Sequence, residues 1–121
     1  MGFAFEELMV YQKALDFAVA VIDVIDSVET PRRHYRLIEQ LEASCTSISL
    51  NIAEGKGRQH KKEFRQFLYI ARGSLYETVT MLKIFQRKNW LTIETYQSLY
   101  NDAQEINRML SGLLSAINIS K

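Results

Sequence analysis

The sequence predicts an all-α fold, an antiparallel up-down-up-down four-helix bundle forming a single domain over residues 1–121. Three observations predict it. Apolar residues recur at spacings of three and four along four segments, which is the period of a helix face and not of a strand. The segments between them are short, so sequential helices must lie side by side and antiparallel. A chain of 121 residues with 47% hydrophobic and 24% charged residues has the apolar material for one core and too much charge for a membrane protein.

The first helix is predicted over about Phe5 to Val28. Leu8, Tyr11, Leu15, Ala18, Ile22 and Ile25 form one stripe, and Val10, Phe17, Val21, Val24 and Val28 form a second about 120° away, with Ala14 between. One core contact needs an apolar face only somewhat wider than about 100°. The surplus stripe asks for cover from another surface, a second copy of the chain being the expected source. The second helix is predicted from Thr30-Pro31, a capping residue followed by a proline suited to the first helical position, to about Glu54. Leu37, Leu41, Ile48 and Ile52 supply its bulk. Ala43, Ser44, Cys45 and Ser47 let a neighbouring backbone come close, and helical hydroxyls bond back to a carbonyl when buried. Gly55 is expected to end this helix as a left-handed cap.

A long third helix is predicted over about His60 to Lys88, with Phe64, Phe67, Leu68, Ala71, Leu75, Thr78, Leu82 and Phe85 on its core face. Asn89-Trp90-Leu91 makes the next turn. Thr92 then caps a fourth helix carrying Tyr96, Leu99, Tyr100, Ala103, Ile106, Leu110, Leu113 and Ile117.

A net charge of +1 hides a two-signed molecule. Residues 1–30 hold six acids against Lys13 alone, whereas residues 31–72 hold nine bases against four acids. Such asymmetry suits an anionic partner or docking between subunits. The N-terminus lacks the positive start and long apolar run of a signal peptide, and no run approaches the ~20 apolar residues of a membrane span, so a cytoplasmic location is expected. Cys45, the one cysteine, sits among small residues and reads as a buried thiol. With His34 and His60 the only histidines and no Glu-x-x-His pair, neither a metal site nor another cofactor is expected. Gly55-Lys56-Gly57-Arg58 lacks the spacing and the preceding strand of a phosphate loop.

Two constellations remain. Along the third helix Lys61, Arg65, Tyr69, Arg72, Tyr76, Lys83 and Arg87 share one stripe beside the core face, flanked by Lys62 and extended by Lys56 and Arg58. Arginines grip phosphates and tyrosines offer stacking platforms, so the stripe is a candidate nucleic-acid surface. A solvated face joined to Arg–Tyr and Arg–acid contacts between subunits explains the same residues. Arg32, Arg33 and Arg36 belong near the far end of the third helix in an antiparallel pair. The second constellation is Asn51 and Glu54, one turn apart just before Gly55, with Gln40 as a further member of a structural polar network. A carboxylate at a helix C-terminus opposes the dipole, so Glu54 needs a partner, with Arg58, Arg65 and Arg72 as candidates. No second acid, base or nucleophile is spaced to make Glu54 catalytic, and an enzyme is not expected.

Gln40, Ser47-Ile48, Asn51-Ile52-Ala53-Glu54-Gly55, Arg58, Glu63-Phe64, Phe67-Leu68, Ile70-Ala71, Gly73-Ser74-Leu75 and Glu77 resemble the four-helix-bundle family of bacterial ribosomal-RNA intervening-sequence proteins. Phe5-Glu6-Glu7-Leu8 and Tyr11-Gln12-Lys13-Ala14 match that family's first helix. That family is similar to the accessory variability protein of diversity-generating retroelements. The resemblance implies a homopentamer, association with nucleic acid (RNA favoured by the family's genomic setting, DNA the other choice), and a protein partner such as a reverse transcriptase. Where the family often has a capping Ser, this chain has His60, a poorer cap for the third helix. The expectation is therefore a non-enzymatic, oligomeric, nucleic-acid-associated bundle. The alternative is a structural or protein-interaction scaffold.

Overall fold

A computed structural model describes residues 2–28 and 34–117. It contains four α-helices, α1 (Met9–Ser27), α2 (Tyr35–Lys56), α3 (Lys61–Arg87) and α4 (Ile93–Ala116), preceded by a single 3-10 turn over Ala4–Glu7. Helices adjacent in sequence touch one another, and α1 closes the ring against α4. The sense alternates. Ser44 meets Thr78 and Ser47 meets Ser74 across α2 and α3, while Arg65 reaches Leu114 and Tyr76 reaches Asn107 across α3 and α4. Phe17, Leu41, Ile48, Ile52, Leu68, Leu75, Leu82, Phe85, Ile106 and Leu110 fill the centre. At about 25 cal/mol per Å2 of apolar surface, this burial is the main force holding the bundle.

The chain start differs from the expected continuous helix. Leu8 is extended (ψ 122°) and separates the 3-10 turn from α1. Local bonds hold the turn: Glu6 Oε1 accepts from the Phe3 amide at 2.9 Å, and Gln12 Nε2 donates to the Glu6 carbonyl at 2.9 Å. Phe5 packs edge-on against Tyr11 with centroids 5.0 Å apart, so part of the surplus apolar stripe is covered by the chain's own first residues. Ala18 and Ile25 enter the core, and Leu8, Tyr11 and Ile22 are half-buried. The exposed remainder on α1 is narrower than the sequence suggests and centres on Leu15 and Val19, with Met9 at the helix start.

The expected Thr30-Pro31 start, with Arg32 and Arg33, lies outside the described residues. Gly55 corrects the sequence reading. It does not adopt a left-handed conformation, and α2 continues through it to Lys56, with Gly57 following at φ −78°. Gly55 is buried because α3 crosses there: a Cβ on it would stand 2.6 Å from Phe67 Cβ. Among the described residues the left-handed one is Asn89 (φ 63°), which turns the chain from α3 toward α4. Thr92 caps α4 as expected, its hydroxyl accepting from the Thr95 amide at 3.1 Å. His60 precedes α3 without a side-chain capping bond.

Candidate nucleic-acid interface

The α3 stripe follows from helical geometry. Positions 61, 65, 69, 72 and 76 advance by four or three, so their side chains stack along one edge of α3. That edge faces α4. Arg65 Nη1 donates to the Leu114 carbonyl and, at 3.4 Å, to the Ile117 carbonyl, satisfying the open end of α4. Its Nη2 donates to Tyr69 Oη at 3.0 Å. The Tyr69 ring lies 5.6 Å from the Arg65 guanidinium and 5.1 Å from that of Arg72, both within cation–π reach. One turn on, Tyr76 Oη donates to Asn107 Oδ1 at 3.2 Å. Lys83 prolongs the alternation of base and ring by standing 4.9 Å from the Tyr96 ring of α4.

The loop before α3 adds a second basic group. Arg58 pairs with Glu54 at 2.6 Å and lies 4.7 Å from the Phe67 ring, and Lys56 Nζ is 5.7 Å from Phe64. Arg58 is thus the partner Glu54 needs at the end of α2. Lys56, Arg58, His60 and Lys61 rim a hollow whose floor includes Phe64 and Leu113. Lys62 is exposed beside it. Arg36 is exposed on the first turn of α2, at the opposite end of the bundle from this loop. The bases therefore fall into separate patches.

Acids are kept away from the α3–α4 seam. Two shallow clefts open along it, one bounded by Arg65, Tyr69, Arg72, Ser111 and Ser115, the other by Tyr76, Thr80, Tyr100, Gln104 and Asn107, and neither is lined by Asp or Glu. On the other side of α4, Glu94 and Asp102 line the cleft toward α1, and Glu105 pairs with Lys13 at 3.4 Å. The α4 contribution to the seam was not foreseen in the sequence, although Gln104, Asn107, Ser111 and Ser115 recur at helical spacing.

The polar network takes a different course from the one expected. Asn51 Nδ2 donates to the Ser47 carbonyl and lies 2.8 Å from Ser47 Oγ, which in turn is 2.8 Å from Ser74 Oγ. One turn away Thr78 Oγ1 donates to the Ser74 carbonyl and hydrogen-bonds Ser44 Oγ, both at 2.8 Å. This ladder joins α2 to α3. Glu54 pairs with Arg58, one of the partners expected for it, whereas Gln40 is exposed on α2 and Gly55 contributes closeness and no polar group. Among the described residues no cluster of three His, Cys, Asp or Glu side chains is placed to hold a metal ion, and no helix is long and apolar enough to cross a membrane.

The family model for 23S rRNA-intervening sequence proteins matches residues 6–112. The chain belongs to that family. Among solved structures, the fold resembles that of a protein of unknown function from the S23 ribosomal protein family of Bacteroides thetaiotaomicron. The two are 31% identical, with 88% of this chain and 98% of that one covered and a TM-score of 0.81. No curated protein matches. The likeness extends over the whole four-helix fold, and that neighbour is itself a protein of unknown function.

Proposed function

We propose that the protein is a non-enzymatic, oligomeric, nucleic-acid-associated bundle, with RNA favoured by the family's link to ribosomal RNA. The observation that carries this reading is the acid-free seam of cations and rings along α3. Contact is electrostatic and spreads over Lys56, Lys61, Lys62 and Arg72, with Arg58, Arg65, Tyr69 and Tyr76 as flanking surface. A homopentamer repeats this stripe and multiplies the charge. Subunit contact is supported by side chains left open on outer faces: Val19 is 57% exposed, Leu50 65% and Ile70 51%. Gly73 lies one turn from Ile70 with no atom within 4 Å of an added Cβ, room for another subunit's backbone. A protein partner such as a reverse transcriptase remains part of the proposal through family resemblance.

The test is a mobility-shift titration with RNA and DNA at low salt. Binding should weaken with salt, at a log–log slope of about −0.9 per phosphate neutralised on duplex and about −0.7 on single strands. Lys61→Glu with Arg72→Glu should abolish binding while the protein stays folded. Arg65 is left intact because it holds the end of α4. The scaffold is the second reading, favoured by the commitment of Arg58 to Glu54 and of Arg65 to the α4 carbonyls. Absence of any shift at low salt selects it. Sedimentation tests assembly: a monomer at micromolar concentration overturns the oligomer, and Gly73→Trp should reduce the mass of a true one.

A further inference from the structure

We infer that the α3–α4 groove takes an unpaired nucleic-acid strand, with Arg72 against its phosphates, the Tyr76 ring stacked on a base and the Asn107 amide at that base's edge. The inference rests on the proposed function and names the form of its ligand. The two clefts of the seam are complementary in chemistry and adjacent in sequence position. The first presents Arg72 with the hydroxyls of Ser111 and Ser115. Arg65 is spent on the α4 carbonyls, and Arg72 is not. Packing of Arg72 on Tyr69 holds its guanidinium beside the opening. The second cleft presents Tyr76, half of whose surface is open (52%), and two side-chain amides, Gln104 and Asn107. Asn107 Oδ1 is engaged by Tyr76, and among the described residues its Nδ2 has no partner, leaving two N–H groups to donate to a base.

The geometry discriminates between strands and duplexes. Four residues separate Arg72 from Tyr76, a rise of about 6 Å, so a charge site and a ring site alternate over a short step. In a duplex the base faces are stacked on each other and the phosphates lie outside. A duplex therefore meets Arg72 but offers nothing to a ring set in the wall between two helices. Unstacked bases of a single strand can use an aromatic face, and such stacking is sequence-tolerant.

The experiment measures fluorescence anisotropy of a labelled uridylate oligomer and of a duplex of equal length at one low salt concentration, with Tyr76→Leu, Asn107→Ala and Arg72→Gln, each checked for native helix content. The single strand should bind more tightly than the duplex. Tyr76→Leu should weaken the single strand about tenfold and leave the duplex within experimental error. Asn107→Ala should act in the same sense and more weakly, and Arg72→Gln should weaken both. Equal binding of the two probes, or a Tyr76→Leu variant that binds the single strand like the parent, overturns the groove while the proposed function stands. Failure of both probes to bind overturns both.

Discussion

Gly55 and Phe67 touch backbone to side chain: a methyl group on Gly55 would stand 2.6 Å from Phe67 Cβ and 3.1 Å from the Phe64 ring. The blocking atom is a Cβ fixed to a helix backbone, so it cannot swing away. Alanine gains about 1 kcal/mol of helix propensity over glycine. Overpacking costs about 1–3 kcal/mol. With a rigid neighbour the second effect wins, and Gly55→Ala should destabilise the fold by up to about 2 kcal/mol in urea unfolding. Gly73 supplies the matched comparison. It is exposed on α3 with nothing near an added Cβ, so Gly73→Ala should stabilise the isolated subunit by up to about 1 kcal/mol.

Arg65 is a structural residue before it is a surface charge. Its guanidinium occupies the Leu114 and Ile117 carbonyls, two of the unpaired acceptors at the end of α4. Bonds to a charged donor are worth roughly 1.5–3 kcal/mol each when well formed, and partial exposure puts this site at the low end. Arg65→Ala should therefore cost about 1–2 kcal/mol and speed amide exchange in the last turn of α4. Arg72→Ala, which gives up ring packing but no carbonyl cap, should leave that exchange unchanged.

The Ser–Thr ladder between α2 and α3 should behave as a coupled unit. Thr78 is fully buried, and its hydroxyl serves Ser74 and Ser44 at once. Thr78→Val keeps the shape and strands a buried polar partner, for a loss of about 1–3 kcal/mol. Ser44 retains a 3.2 Å bond to the Leu41 carbonyl, which moderates the loss. Adding Ser44→Ala removes the stranded group, so the double variant should be more stable than the sum of the singles predicts. Additive losses in the cycle would show the two hydroxyls to be independent.

Where sequence and structure part, the cause is a contact between distant segments. The helices and their core faces are legible because Leu41, Ile48 and Ile52, or Leu68, Leu75 and Leu82, carry the helical period themselves. Gly55 was not legible. A glycine near a helix end reads as a cap, and only the crossing of Phe67 shows that it admits another helix. The course of the polar network depends on α2–α3 register, which sets Asn51 toward Ser47 and Ser74 and leaves Gln40 outside. The α1 surplus shrinks because Phe5 folds back on Tyr11, after a break at Leu8 that no proline or glycine marks. For the basic stripe, spacing gives its alignment, but the commitment of Arg65 to α4 needs the fold.

Cys45 should make stability depend on alkaline pH. It is fully buried, its thiol donating to the Glu42 carbonyl at 3.4 Å. Burial foremost, then the charge of Glu42, pushes the thiol up from an ordinary 9.0 to about 11. The folded state therefore holds its proton where the unfolded chain releases it. This contribution is complete below about pH 9, and rising pH removes it until the folded thiol itself ionises near 11. Two pH units correspond to roughly 2–3 kcal/mol at most. Cys45→Ala should be less stable than the parent at neutral pH through lost packing, and the gap should narrow from pH 9 upward. Urea unfolding of the two proteins across this range checks the prediction. Parallel pH profiles would show that the thiol does not titrate differently on unfolding, and rapid alkylation of the native protein at pH 8 would show that it is not sequestered.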